Sequence, residues 1–481
     1  MKISMGRGKL NQSFTALASS YAALNMGMLY VWPSYTVSMF RAQNTTILSA
    51  PMTESEISLL GSLPSLGAML GSGIAGIMIE KFGRKNGSLA MCLPLVLSWS
   101  MVMLAKSSML MLISRLIGGV AGGANLVFAP IFISEVAEDS IRGTLASGPV
   151  FLYGVGTLLS YLCGWFFSYI TIVWINLTSS VLCCILLLSV TESPVYLLKN
   201  KREEEARNAL ATYRGLSAKE VQDELTRLKQ RICPEYEMVP INEKVEEPVK
   251  VKLSSENASF VQKMMSSFKS LFLSPAPRKA FLIVFAIISM QVLMGIVPVQ
   301  VYAKNVFETA DPSQADLYSV IFAVILVIGT FMSGVIADKA GRRILVISSS
   351  VMVALCMGTL GYLMQTKTAP PLVTVAMILL YCFSFMFGAG SMPYVLLAEV
   401  FTTEVQALAS TLLIEWVWFL NFLILVVFNG LLNIIGIHGI FYIFAVSSII
   451  NTVLGFFIVP ETKGLSNAQI QDILLKGRRC I

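Results

Sequence analysis

The chain has 481 residues, of which 55% are hydrophobic and 13% charged. Soluble domains carry roughly 25% charged residues, so soluble enzymes, nucleic-acid binders and secreted disulfide scaffolds all fit this composition poorly. The net charge of +7 points to no nucleic acid, because the cations cluster at the edges of long apolar runs. The composition is that of a protein crossing a membrane many times.

In chain order, Lys2, Arg7 and Lys9 open the sequence like a signal peptide. The apolar stretch that follows is too long and lacks a small-residue cleavage pattern, so it reads as a retained first helix. A helix needs roughly 20 mostly apolar residues to cross the hydrocarbon. Such runs fall at 14–38, 57–79, 88–105, 109–133, 144–168 and 170–190, then at 280–302, 317–337, 344–364, 372–397, 406–429 and 437–459. Numbered one to twelve, these spans define an N-terminal half (1–190), a polar segment (191–279), a second half (280–459) and a tail (460–481).

Lys81, Arg84, Lys85, Arg142, Lys339, Arg342, Arg343 and the tail cations Lys476, Arg478 and Arg479 share one face. The opposite loops hold only scattered bases such as Arg41, Lys106 and Lys367. The positive-inside rule puts the basic face, with both termini, in the cytosol. Asn44-Thr45-Thr46 in the first outside loop is then an N-glycosylation sequon. Within the polar segment, amphipathic periods around Arg202–Leu210 and Glu220–Gln230 predict short cytosolic helices, while 234–256 lacks any period and reads as disordered. Six of the eight cysteines lie in apolar runs, as small hydrophobes do. With no CxxC and the lone His438, no metal or cofactor is expected, and no nucleotide loop or carboxylate pair suggests an enzyme.

The two halves share a ten-residue pattern. Gly76 to Lys85 follows span two and Gly334 to Arg343 follows span eight; each reads Gly, three residues, acid, Lys, one residue, Gly, two bases. This predicts a short hairpin, tight at Gly83 and Gly341, with Glu80 or Asp338 engaging a cation or a helix N-terminus on a neighbour. A second echo is Glu135-Val136 ending span four and Glu399-Val400 ending span ten; Arg142 follows the first, and Gln406 holds the matching place in the second. Two related halves rocking about a central site are a recurrent route to alternating access. A duplicated scaffold or sensor without turnover is the alternative.

On these residues the chain resembles the sugar-porter branch of the major facilitator superfamily. Thr191-Glu192-Ser193-Pro194 and Pro460-Glu461-Thr462-Lys463-Gly464 add to that likeness. Arg202 to Leu210, Arg214-Gly215 and Trp32-Pro33 look like the insect facilitated trehalose transporters. The resemblance implies an all-α membrane protein with the major facilitator fold, twelve transmembrane helices in two six-helix halves. It also implies uniport of a sugar, trehalose or a hexose, across the plasma membrane, with the sugar and the bilayer as partners.

The same resemblance implies cargo contacts from Gln291, Trp418, Asn421, Tyr302 and Tyr394. It implies a gating charge network of Glu80, Arg84, Glu135, Arg142, Asp338, Arg343 and Glu399. Val150, Val292, Val297 and Leu326 stand where the family has amides, which leaves a less hydroxylated cargo open. Arg115 matches a family arginine that faces a span-one acid in proton-coupled members. Phe14 to Ser38 contains no acid, with Met26 near that place, so facilitated diffusion is favoured over proton symport. Val195 and Gln406 replace two network arginines, implying a population biased inward. Glu415 matches no family acid; a carboxyl in a span is protonated, paired or lining water, hence either structural or an unusual coupling group.

Overall fold

The computed structural model describes residues 6–215, 218–232, 260–367, 370–465 and 467–476. The aperiodic stretch 234–256, the cations Lys2, Arg478 and Arg479, and the side chain of Asp338 lie outside the described residues. Span one comprises Arg7–Val31 and Pro33–Arg41, and the next five are Glu54–Phe82, Arg84–Leu104, Ser108–Val136, Gly148–Phe166 and Tyr169–Ser189. Span seven runs from Pro275–Leu293 into Ile296–Val301, and spans eight and nine are Ala315–Ala340 and Arg342–Thr366. Span ten joins Pro371–Ser384 to Met392–Glu399 through a π turn at Phe385–Ala389. Spans eleven and twelve share Thr403–Phe457, broken at Gly436.

Among the described residues, ten helices are long and apolar enough to cross a membrane. The last of them holds two spans, and span one falls short because serines, threonines and asparagines interrupt its apolar run. Twelve crossings therefore stand. Span seven begins at Pro275 rather than 280, since proline suits the first helical turn and apolar counting overlooks that polar start. The polar segment supplies Pro194–Lys199, Glu203–Arg214, Ala218–Ile232 and Phe260–Leu273.

Three carbonyls within the spans lose their helical partner to a proline. A proline offers no N–H to the carbonyl four residues earlier, and a backbone group left unpaired in lipid costs several kcal/mol. Pro33 frees the Leu29 carbonyl, Pro64 that of Leu60, and Pro298 that of Met294. Side chains from other spans take all three. Arg115 of span four donates Nη2 to Leu29 O at 2.6 Å and Nε to Leu60 O at 3.3 Å. Tyr381 of span ten donates its hydroxyl to Met294 O at 2.9 Å. Tyr381→Phe is expected to lower stability by roughly 1–3 kcal/mol, read as a lower thermal midpoint in detergent with unchanged helicity.

The apolar core is divided unevenly. One cluster runs through both halves away from the basic face, joining Trp32, Phe40, Leu60 and Trp99 to Val301, Phe307, Phe322 and Phe441. Towards the basic face the clusters separate. Ala124 and Phe128 pack with Ala75 and Ile79 in the first half, while Ile288, Leu396 and Phe401 pack together in the second.

Candidate functional site

The repeated hairpins are built alike. Gly83 and Gly341 close them with φ of 88° and 90°, a region that favours glycine, and the next helix starts at the following base. Its free amides form an anion site. Glu192 accepts from the amides of Arg84 (3.0 Å) and Lys85 (3.1 Å), and Glu461 from those of Arg342 (3.0 Å) and Arg343 (3.2 Å). Arg84 pairs with Glu135 at 2.6 Å and Arg342 with Glu399 at 2.8 Å. Ser193 and Thr462 donate to the second oxygen of each carboxylate.

Two sequence expectations change. The helix N-termini are capped by Glu192 and Glu461 from the ends of each half, whereas Glu80 is exposed and has no partner among the described residues. The base facing Glu399 is Arg342, not Arg343, because register counts from the glycine. Arg343 corresponds to Lys85: it donates to the Phe456 carbonyl as Lys85 does to that of Leu188. Arg142 pairs with Asp139 at 2.7 Å. Each of these ion pairs lies within one half.

Between the halves, polar groups converge. Gln291 is buried, and its Nε2 donates at 2.8 Å to Gly390 O, a carbonyl released because the π turn sends the Tyr394 amide to Ser391. Gln291 Oε1 and Asn421 Oδ1 are buried without a hydrogen-bond partner among the described residues. Trp418, one turn before Asn421, is half-buried with its ring centroid 6.2 Å from that of Tyr30 in span one. Tyr394 lies beside Gln291, and Tyr30 faces both Tyr153 of span five and Tyr394. Amide oxygens and phenols suit hydroxyl groups, and an indole face suits C–H bonds. Of the aliphatic replacements, Val292 packs into the second half's own core, Leu326 is buried in the shared core, and Val150 is exposed.

Tyr302 stands apart from this cluster, in the seal on the face opposite the basic one. Its hydroxyl donates to Ile57 O at 3.5 Å and accepts from Asn429 Nδ2 at 3.3 Å, and its ring stacks on Phe428 at 5.4 Å. Asn429 also donates to Ser58 at 3.1 Å. Gln300 Nε2 donates to Thr157 at 3.2 Å and Tyr153 at 3.4 Å, while Tyr161 donates to Gln300 O at 2.5 Å. These bonds tie the halves together. Towards the basic face, a side chain at Gly76 or Gly334 would meet nothing within 4 Å. Apart from that of Ser72 with Glu415, the hydrogen bonds found between the halves among the described residues lie on the face of Tyr302. The ion pairs of the basic face stay within one half, so the molecule is sealed on one face and untied on the other.

Sequence reading missed Gln300, Tyr30 and Tyr153. The signal for Gln300 was present as a lone amide inside Val297-Pro298-Val299-Gln300-Val301; the tyrosines look like ordinary apolar-span aromatics. Among the described residues Arg115 pairs with no acid: it bonds the two freed carbonyls and lies over the Trp32 ring at 5.3 Å. Asn44 is exposed in its loop.

A family model described as sugar (and other) transporter matches residues 12–474. The facilitated trehalose transporter Tret1 of Polypedilum vanderplanki is 28% identical over 467 residues, covering 96% of this chain and 87% of the relative. That of Bombyx mori is 27% identical over 475 residues, covering 97% and 88%. Among solved structures, the inward open conformation of the xylose transporter XylE from E. coli aligns with a TM-score of 0.75 at 21% identity, covering 95% of this chain and 98% of that one. At that identity the likeness speaks for the fold. With the family model matching almost end to end, the chain belongs to the sugar (and other) transporter family, and its twelve-span, two-half fold is that of the solved transporter.

Proposed function

We propose that the chain is a plasma-membrane facilitator carrying a sugar down its gradient by alternating access, with the basic face in the cytosol. What supports the reading is that Gln291 Oε1 and Asn421 Oδ1 are buried without a partner among the described residues, while the Trp418 ring centroid lies 6.2 Å from that of Tyr30 of the other half, in a molecule sealed on one face. The names of the relatives favour trehalose as cargo. Facilitation is favoured over proton symport through span one, because Arg115 is occupied by backbone carbonyls rather than by an acid.

The test is counterflow of labelled trehalose and glucose by purified protein in liposomes. Trp418→Ala and Asn421→Leu are each expected to cut exchange about tenfold or more, the equivalent of roughly 1.4 kcal/mol, at unchanged thermal stability. Exchange of neither sugar by folded protein would set this reading aside, and retained sugar binding without exchange would favour a sensor.

A further inference from the structure

We propose that Glu415 carries a proton whenever spans two and eleven meet, so that closure of the basic face depends on pH through this carboxyl. The inference deepens the transport reading and rests on it. Spans two and eleven run antiparallel across the halves in one register: Asn429 meets Ser58 and Glu415 meets Ser72. The two contacts stand about 21 Å apart at 1.5 Å per residue. Glu415 sits where this seam parts. One turn nearer the basic face on the same side of the helix, a Cβ at Gly76 would meet nothing within 4 Å.

The hydrogens at this contact can serve either form of the carboxyl. Ser72 Oγ lies 2.7 Å from Ala68 O, 3.2 Å from Met69 O and 2.8 Å from Glu415 Oε1. A hydroxyl has one proton and two lone pairs. Given to Ala68 O, the nearest acceptor, that proton leaves a lone pair towards Glu415. An acid fills it by donating its own O–H, whereas a carboxylate repels it. Given to Glu415 instead, that proton serves a carboxylate, while Ala68 O keeps the backbone amide four residues on.

Among the described residues, no cation is paired with this carboxyl. On span two, Glu80 and Lys81 lie two turns towards the basic face; on spans seven and nine, Arg278, Lys279, Arg342 and Arg343 lie at the basic-face ends. Lys269 and Glu399 flank the start of span eleven, which also carries Glu404 in its first turn, and the Tyr394 phenol belongs to the central cluster. Among the described residues, the hydrogen bond found for Glu415 is the one with Ser72.

In this arrangement water enters from the basic face. Closure in the same register would bring Gly76 opposite Thr411 and shut Glu415 from that water. An ion enclosed with a single hydroxyl is far costlier than a neutral acid. While the basic face is open, Glu415 exchanges its proton with that water, and only the protonated form is shut in when the face closes. Raising the pH there holds the face open.

The test places Gly76→Cys and Thr411→Cys in the full-length protein in liposomes and follows their disulfide formation under copper–phenanthroline, without sugar, by mass spectrometry of the linked peptides. The linked fraction is expected to be about fivefold higher near pH 5.5 than near pH 8.5, the direction opposite to thiolate reactivity. Adding Glu415→Gln, whose amide donates to Ser72 at every pH, is expected to abolish that fall. The same fall with Glu415→Gln present, a rise with pH in both proteins, or no linkage at any pH would each overturn the proposal. Because the readout needs no cargo, Glu415-dependent closure in a protein that exchanges neither sugar would uphold this switch while removing the cargo assignment. Sugar exchange with a pH profile indifferent to Glu415 would do the reverse.

Discussion

Arg115→Met is expected to destabilise the protein by roughly 2–6 kcal/mol, since it orphans two buried carbonyls at about 1–3 kcal/mol each. The freed groups are Leu29 O and Leu60 O, which Pro33 and Pro64 have already deprived of their helical partners. The loss of the cation over the Trp32 ring adds to the same sum. The measurement is thermal unfolding in detergent, with the yield of monodisperse protein as a second readout. Arg115→Lys keeps the charge but lacks the planar fork that spans both carbonyls, so it should fall between the parent and Arg115→Met. If Arg115→Met left stability intact and changed only the pH dependence of flux, the residue would be a coupling group rather than a pin between spans one, two and four.

Gly295→Ala should be the next most damaging single change. The break in span seven rests on a φ of 85° at this residue, and a Cβ there would lie inside contact distance of the Phe444 ring from span twelve. Left-handed backbone costs an L-residue about 1–2 kcal/mol, and overpacking a dense core costs typically 1–3 kcal/mol more. A loss of about 2–5 kcal/mol is therefore expected, together with impaired exchange, because the same break aims Gln291 at the centre and Gln300 at the seal. Phe444→Ala in the same chain should recover the packing part and leave the backbone part. A double-mutant cycle would then show coupling of about 1 kcal/mol or more. Purely additive losses would place the strain elsewhere.

The hairpin repeat shows how far motif reading reaches. Both copies were visible as ten aligned positions, and their glycines do close the turns. The acids within the motif drew attention because they are charged and regularly spaced. Yet the amides they might have capped are taken by Glu192 and Glu461, more than a hundred residues further along the chain from each hairpin. Of the two adjacent bases Arg342 and Arg343, it is Arg342 that pairs with Glu399. Two adjacent bases look equivalent in a string, and the helix start at Gly341 decides which of them points under the hairpin. The candidate cargo residues divide in the same way: Gln291 lies beside Tyr394 and Trp418 beside Tyr30 of the other half, while Tyr302, on the same span as Gln291, belongs to the seal.

The sequence by itself determined a membrane protein of twelve spans in two related halves, and its family. Those conclusions rest on apolar run length, charge placement and motifs, all properties of neighbouring residues in the chain. Only the tertiary structure decided which side chains capture the carbonyls freed by proline, which groups seal one face, and that Glu415 meets a serine. Ser72 and Glu415 are 343 positions apart, and no local pattern encodes such a partnership. It exists because two antiparallel helices from different halves share a register, and register between distant helices is set by packing.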